Sequence, residues 1–158
     1  MDFKDKPQFK KGEIGETYVK NWLIERGWIT YSPDVKDRPH YFDMLITKDK
    51  LKVIAIDVKT KARLNNWNAQ GIDLRHYDEY MRFMCTTKVP FYLFFVDDKC
   101  GDVFCADLSK LKNPFVLHEK KIIAWYLDDM RKVFQLSESQ IQELSKYDTR
   151  NYTYSPQL

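Results

Sequence analysis

The spacing of apolar positions along the chain predicts an alternation of helices and strands. Residues 12–27 have helical spacing, with one apolar arc formed by Ile14, Tyr18, Val19, Trp22 and Leu23. Spacing also predicts helices at 73–85 and 137–146. Short apolar runs predict strands at 28–32, 41–47, 51–59, 90–97, 102–106 and 121–127. We therefore expect an α/β domain.

Two of these strands carry acidic residues that a defined register would bring together. The strands at 41–47 and 51–59 are separated by a three-residue polar turn, which would set Asp43 opposite Ala55. Asp57 would then be the diagonal neighbour of Asp43 on the same face. A turn of even length would place the two carboxylates on opposite faces.

Candidate catalytic chemistry is concentrated around these strands. Asp57 and Lys59 project from one face of their strand because side chains alternate across a sheet. Glu16 lies at the edge of the apolar arc of the first helix, beside Leu23, and can lean toward the sheet. Glu16, Asp43, Asp57 and Lys59 together predict a hydrolytic metal site.

Composition limits the size and class of the protein. The chain has 158 residues, of which 44% are hydrophobic and 15% aromatic, enough for one compact domain over residues 12–146. Residues 1–11 form a basic N-terminal arm, and residues 147–158 form a polar tail. The net charge of +3 neither demonstrates nor opposes a polyanionic partner.

Cysteine usage and hydropathy indicate a cytoplasmic protein without a membrane segment. Cys85, Cys100 and Cys105 have no C-x-x-C spacing and form no even disulfide set. The N-terminus lacks an apolar signal core. The longest strongly apolar run, at residues 89–96, is too short to span a bilayer.

A polar stretch beyond the candidate site is a candidate nucleic-acid contact. Lys61 and Arg63 follow Lys59 and can track a phosphate backbone, with Trp67 as a stacking surface. Arg75, on the next predicted helix, is a further candidate contact. An ordinary polar loop explains the same residues equally well.

At these positions the chain resembles the PD-(D/E)xK nuclease superfamily. That pattern comprises Glu in the first helix, Asp on one strand and Asp-x-Lys ending the next, followed by a helix. The resemblance covers roughly residues 12–96, and Thr60 after the lysine resembles Holliday-junction resolvase-like members. It implies a restriction-endonuclease-like core, with a central mixed β-sheet flanked by helices in αβββαβ order.

The resemblance also implies a mechanism, namely Mg²⁺-dependent hydrolysis of DNA phosphodiester bonds by an endonuclease, with Mn²⁺ as a substitute ion. Asp43, Asp57 and the Val58 carbonyl would be metal ligands, and Glu16 would bind a second ion or position the water. Lys59 would orient the water and offset charge on the phosphate. Thr60 joins the candidate DNA contacts, and a homodimer would suit symmetric cutting.

Two other functional classes fit the same residues. The first is a nucleic-acid-binding module that keeps the fold without cutting. The second is an interaction protein in which Asp43, Asp57 and Lys59 form a buried ion-pair network. Metal-dependent cleavage separates the enzyme from both.

Overall fold

The computed structural model describes residues 3–34, 40–49 and 52–148. Its helices and strands follow the order α1 (Pro7–Glu25), β1 (Ile29–Tyr31), β2 (Met44–Thr47), β3 (Val53–Thr60), β4 (Ala69–Asp73), α2 (Leu74–Thr87), β5 (Phe91–Val96), β6 (Asp102–Asp107), β7 (Phe115–Leu117), β8 (Ile122–Tyr126), β9 (Arg131–Gln135) and α3 (Glu138–Ser145). Short 3₁₀ turns lie at Phe3–Asp5, Leu108–Lys110, His118–Lys120 and Leu127–Asp129.

The strands form two sheets. The larger is six-stranded, in the order β1-β2-β3-β5-β6-β9, and the smaller has the order β4-β8-β7. β3 and β5 are parallel, whereas the other neighbours are antiparallel. A central mixed sheet flanked by helices confirms the predicted architecture. The expected helix, three strands, helix, strand order is present, with β4 inserted before α2.

Each face of the large sheet has its own apolar core. On one face, Val19 and Leu23 of α1 and Leu144 of α3 pack against Ile56 and Val58 of β3. On the other face, α2 and the small sheet cover a second cluster, whose buried members include Ala55, Ile72, Tyr80, Phe91, Leu93, Phe95, Ile123 and Trp125. Because β3 is central, its alternating side chains enter both cores.

Several element boundaries differ from those predicted. α1 begins at Pro7, five residues earlier than expected, because proline is favoured in a first helical turn. Lys11, expected in a solvated arm, is 8% exposed and forms an ion pair with Asp98. β4, β7 and β9 were not predicted, since they are short and polar or lie beside glycine and proline. In the polar tail, residues 149–158 lie outside the described residues.

The β2–β3 register differs from the prediction by two residues. Ala55 pairs with Leu45, whereas the predicted turn would have paired Ala55 with Asp43. The shift is even, so it leaves every side chain on its predicted face. Within the described residues, no helix has the length and apolar content needed to cross a membrane.

Candidate active site

Asp57 and Lys59 lie on the α2 face of β3 and contact each other. Lys59 Nζ is 2.8 Å from Asp57 Oδ2. The hydroxyl of Tyr80, on α2, donates to the same oxygen at 2.7 Å. Asp57 is only 5% exposed, so this carboxylate is held inside the protein by a cation and a neutral donor.

Asp43 lies at the edge of β3, one residue before β2 begins. Its backbone N–H donates to the Ile56 carbonyl at 2.9 Å, and its Oδ2 accepts the Val58 N–H at 2.6 Å. The Asp43 side chain thus accepts the Val58 N–H, which would pair with a backbone carbonyl if β2 were longer. The N–H and C=O of a strand residue point to the same side, so the Val58 carbonyl faces this edge as well.

Glu16 reaches the same edge from α1, on the opposite face of the sheet. Its carboxyl group shares a hydrogen bond with that of Asp43. The neighbouring Gly15 lies against Thr60 of β3, where an added Cβ would overlap the threonine hydroxyl. The close approach of helix and strand therefore depends on a residue without a side chain, and it sets the position of Glu16.

The proximity of the carboxyl groups changes their acidity. Burial raises the pKa of Asp43 well above its usual range, and the charges of Asp57 and Glu16 raise it further. Burial also raises the pKa of Glu16, while its hydrogen bond from Asp43 lowers it. Both carboxyl groups therefore bind protons more readily than exposed carboxyl groups do. The site concentrates negative charge that a cation would stabilise.

The pKa values of the two basic groups near Asp57, Lys59 and His76, are shifted in opposite directions. Burial lowers the pKa of Lys59, but the Asp57 carboxylate outweighs burial, and the net pKa is raised. Lys59 is thus an ammonium at neutral pH. His76 stacks on Tyr80 with ring centroids 6.1 Å apart, and burial followed by the Lys59 charge lowers its pKa. The ordinary histidine value is about 6.5, so a lowered pKa makes His76 neutral at pH 7.

Oxygen atoms, the ligands that a hard divalent cation prefers, are available at this edge of β3. No group of three or more His, Cys, Asp or Glu side chains among the described residues is arranged to hold a metal ion. Magnesium, however, is commonly held by one or two carboxylates, with water and substrate phosphate completing its shell. Burial, and then the charges of Asp57 and Glu16, raise the pKa of Asp43, at an edge that the Val58 carbonyl also faces. Asp43, Asp57 and this carbonyl are chemically suited to such an ion.

The predicted nucleic-acid contacts have different surroundings. Arg63 is half-buried and paired with two carboxylates, with Nε 2.8 Å from Asp97 Oδ2 and an Nη nitrogen 2.5 Å from Asp102 Oδ2. The Thr60 hydroxyl is buried without a hydrogen-bond partner on the α1 side. Neither group presents itself to an external phosphate.

The remaining candidate contacts are more accessible. The backbone of Lys61 extends the sheet, since its N–H donates to the Val96 carbonyl at 3.0 Å, and its side chain is half-buried. Arg75 is exposed on the first turn of α2, and Trp67 is 44% exposed. Arg75 and Trp67 stay candidate DNA contacts.

Tyr80 and His76 were not predicted as site residues. The apolar spacing of α2 indicated which helix face meets the sheet, and Tyr80 belongs to that face. A buried tyrosine hydroxyl usually needs a polar partner, and Asp57 is a polar group on the facing strand. That combination was a usable signal for Tyr80. His76 had none, because its position depends on the orientation of α2.

Comparison with solved structures identifies the fold. The sequence matches no protein-family model and no curated protein. A Holliday junction resolvase, Hjc of the archaeal hyperthermophile Archaeoglobus fulgidus, superimposes with a TM-score of 0.55 over 78% of this chain and 92% of its own. The two sequences are 13% identical. The chain has a restriction-endonuclease-like fold.

This result confirms, at the level of fold, the predicted resemblance to PD-(D/E)xK nucleases. At 13% identity the likeness concerns architecture, and the roles of individual residues depend on the geometry described above. Within the restriction-endonuclease-like fold, Asp57 and Lys59 occupy β3, while Asp43 and Glu16 meet at its free edge. The carboxyl groups therefore gather where the β2–β3 pairing ends at Ile56, while the other edge of β3 stays paired with β5.

Proposed function

We propose that the chain is a metal-dependent endonuclease that hydrolyses DNA phosphodiester bonds. The proposal depends on one observation: the Asp57–Lys59 pair on β3 adjoins Asp43 and Glu16, which share a hydrogen bond at the same strand edge. The fold supports it, since the Archaeoglobus protein with the same architecture is a Holliday junction resolvase.

Asp43, Asp57 and the Val58 carbonyl would hold Mg²⁺, with Mn²⁺ as a substitute. The bound ion would supply positive charge to the phosphate and lower the pKa of a coordinated water. Asp43 must lose its proton to act as a ligand, and its raised pKa makes ion binding compete with protons. We therefore expect ion affinity to increase with pH.

Protein side chains would stabilise charge on the phosphate, orient Asp57 and position the attacking water. Lys59, kept protonated by Asp57, stabilises negative charge that develops on the phosphate and holds the attacking water. Tyr80 fixes the orientation of Asp57 through its 2.7 Å hydrogen bond. Glu16 positions the water or contacts a second ion. Lys59 does not serve as a general base, because deprotonating it would require a lowered pKa.

DNA is the proposed substrate, with exposed Arg75 as a phosphate contact. Cutting symmetric sites would call for a homodimer. The free thiols of Cys85, Cys100 and Cys105 suit the reducing cytoplasm.

The first experiment is a cleavage assay on end-labelled linear, single-stranded, nicked, supercoiled and four-way-junction DNA. Each substrate is incubated with Mg²⁺, Mn²⁺ or EDTA. Asp57→Asn is the matched variant, since it keeps the side-chain shape while removing the charge. We expect cutting that requires metal and is lost in Asp57→Asn, whereas cutting that persists in EDTA would contradict the proposal.

A non-catalytic DNA-binding module is the second candidate. It is favoured by the contacts of Asp57, whose Oδ2 already pairs with the Lys59 ammonium and accepts a hydrogen bond from the Tyr80 hydroxyl. Binding of DNA in EDTA, without cleavage in either metal, would establish this candidate. The cleavage assay together with a measurement of DNA binding in EDTA therefore separates the two functions.

A further inference from the structure

Three aromatic side chains form an exposed cluster at one end of the small sheet. Trp67 is 44% exposed and Tyr126 41% exposed, and Phe115 is half-buried between them. The ring centroid of Phe115 lies 5.2 Å from that of Trp67 and 5.1 Å from that of Tyr126. We call these three residues the aromatic platform.

The register of the small sheet explains why these rings share one surface. Ala69 pairs with Tyr126, and Phe115 pairs with Ala124. Ile123 and Trp125 point into the core beneath α2, so Ala124 and Tyr126 lie on the other face of β8, where Ala124 is buried and Tyr126 is exposed. Trp67 is held beside them by its backbone N–H, which donates to the Leu64 carbonyl at 3.2 Å. The platform is thus built before any ligand binds.

β4 connects the platform to the element that carries Tyr80. The strand runs from the buried Ala69, beside the platform, to the exposed Asp73. Four residues of strand span about 13 Å, or about four base-pair rises of 3.4 Å. Asp73 directly precedes α2, the helix whose Tyr80 donates to Asp57. β4 and α2 therefore connect the platform directly to the residues proposed to cut.

The local chemistry favours the bases of a nucleic acid over its phosphates. Asn65 and Asn66, exposed just before Trp67, offer amide groups that match the polar edges of bases. Asp128 and Asp129, exposed in the turn after Tyr126, repel phosphate. Within a duplex the base faces are stacked on one another, so only unpaired bases can stack on a protein ring.

We propose that the aromatic platform stacks unpaired nucleobases of a DNA strand that passes the active site. This inference rests on the proposed nuclease function and specifies its substrate class, DNA with unpaired nucleotides next to a duplex. Trp67 provides the stacking face, Tyr126 and Phe115 hold the indole in place, and Asn65 and Asn66 contact base edges. The stacking component depends little on salt, because no ion pair with phosphate contributes to it.

The test is equilibrium binding in EDTA, where no metal-dependent cutting occurs. Fluorescence anisotropy is measured for a labelled duplex with a single-stranded oligothymidylate overhang and for the same duplex with blunt ends. Trp67→Leu keeps an apolar side chain and removes the π face, while Trp67→Phe retains an aromatic ring. Tyr31→Ala is the matched control, since Tyr31 is an exposed aromatic residue on β1, outside the platform.

We expect Trp67→Leu to weaken overhang binding about tenfold and to leave blunt-duplex binding unchanged. Trp67→Phe should retain most of the wild-type affinity for the overhang duplex, and Tyr31→Ala should bind it as the wild type does. Tyr126→Leu should weaken overhang binding less than Trp67→Leu does. Thermal melts verify that each variant is folded, and Tyr126→Leu replaces Trp67→Leu if the latter does not fold.

Three results would overturn the inference: unchanged overhang binding in the folded variants, equal losses for both DNAs, or a wild-type dimer that Trp67→Leu converts to a monomer. The last result would make the platform a contact between two copies of the chain. Failure of the nuclease proposal is distinguishable, because selective loss of overhang binding without any cleavage leaves the platform in place.

Discussion

Gly15 of α1 lies so close to Thr60 of β3 that a Cβ added at Gly15 would be 2.9 Å from the threonine Cβ and would overlap its hydroxyl. This contact holds α1 against the sheet next to Glu16. Since Glu16 and Asp43 share a hydrogen bond across the strand edge, the separation of helix and strand determines whether the carboxyl groups meet.

Gly15→Ala is therefore expected to destabilise the protein by roughly 1–3 kcal/mol, the usual effect of overpacking. Gly12→Ala is a matched control on the same helix, where an added Cβ meets nothing within 4 Å. That substitution should stabilise by about 0.5–1 kcal/mol, because alanine favours helix. Chemical denaturation measures both. Stabilisation by Gly15→Ala would show that α1 is not packed this closely on β3.

Tyr80→Phe tests the orientation of Asp57. The variant keeps the ring stack on Phe91, whose centroid is 4.4 Å away, and removes the hydroxyl donated to Asp57. Loss of a supporting hydrogen bond to a metal ligand typically costs about 10- to 100-fold in affinity or activity. We expect a loss in this range in Mg²⁺ titrations of cleavage. Tyr77→Phe, which keeps the packing on Trp125, should retain wild-type activity.

Asp43→Asn should stabilise the protein at neutral pH. Burial and neighbouring charges raise the folded-state pKa of Asp43 above the unfolded value of about 3.9. The folded state then binds more protons, so wild-type stability falls as pH rises from about 4 toward the raised pKa. Asparagine accepts the Val58 N–H and donates to Glu16 without a charge.

Thermal melts of Asp43→Asn and wild type across pH measure this effect. The difference should be near zero at pH 3–4, where both forms are uncharged at this position, and should grow to a few degrees by pH 8. Cleavage should be lost at every pH, since a metal ligand is missing. A variant less stable than wild type at pH 8 would show that Asp43 is stabilised as the anion.

Arg63 and Arg75 should respond differently to alanine substitution. Arg63→Ala leaves Asp97, a buried carboxylate, without its guanidinium partner, and we expect roughly 1–3 kcal/mol of destabilisation. Its effect on DNA affinity should be small. Arg75 is exposed, and Arg75→Ala should reduce the salt slope of DNA binding by about 1 without changing stability. Equal salt slopes for Arg75→Ala and wild type would remove Arg75 from the DNA contacts.

Much of the fold was accessible from the sequence because local patterns determine it. The apolar arc of α1 and the alternation along β3 predicted which faces are buried, and parity alone kept Asp43 and Asp57 on one face despite the register error. The three short strands β4, β7 and β9 were missed, since pairing with distant strands stabilises them more than their own sequence does.

The candidate site was predictable in its acidic part and less so in its surroundings. Glu16, Asp43 and Asp57 have spacing that the sequence reveals, and the structure brings Glu16 and Asp43 into contact. Tyr80 is far from Asp57 in sequence, and the platform residues Phe115 and Tyr126 are far from Trp67. Only tertiary packing brings each of them near its partner. The ion pairs of Arg63 were not predictable, because its partners, Asp97 and Asp102, lie on a turn that is remote in sequence.

The most direct test of the central claim measures metal binding and single-turnover cleavage on the same preparations of wild type, Asp57→Asn and Lys59→Ala. Calorimetric titration with Mn²⁺ gives the affinity, and labelled branched DNA with Mg²⁺ gives the rate. Lys59→Ala should bind the ion almost as wild type does and cut about 10²- to 10³-fold more slowly, while Asp57→Asn should lose both properties. Wild-type cleavage rates in both folded variants would show that this pair of residues is not the catalytic centre.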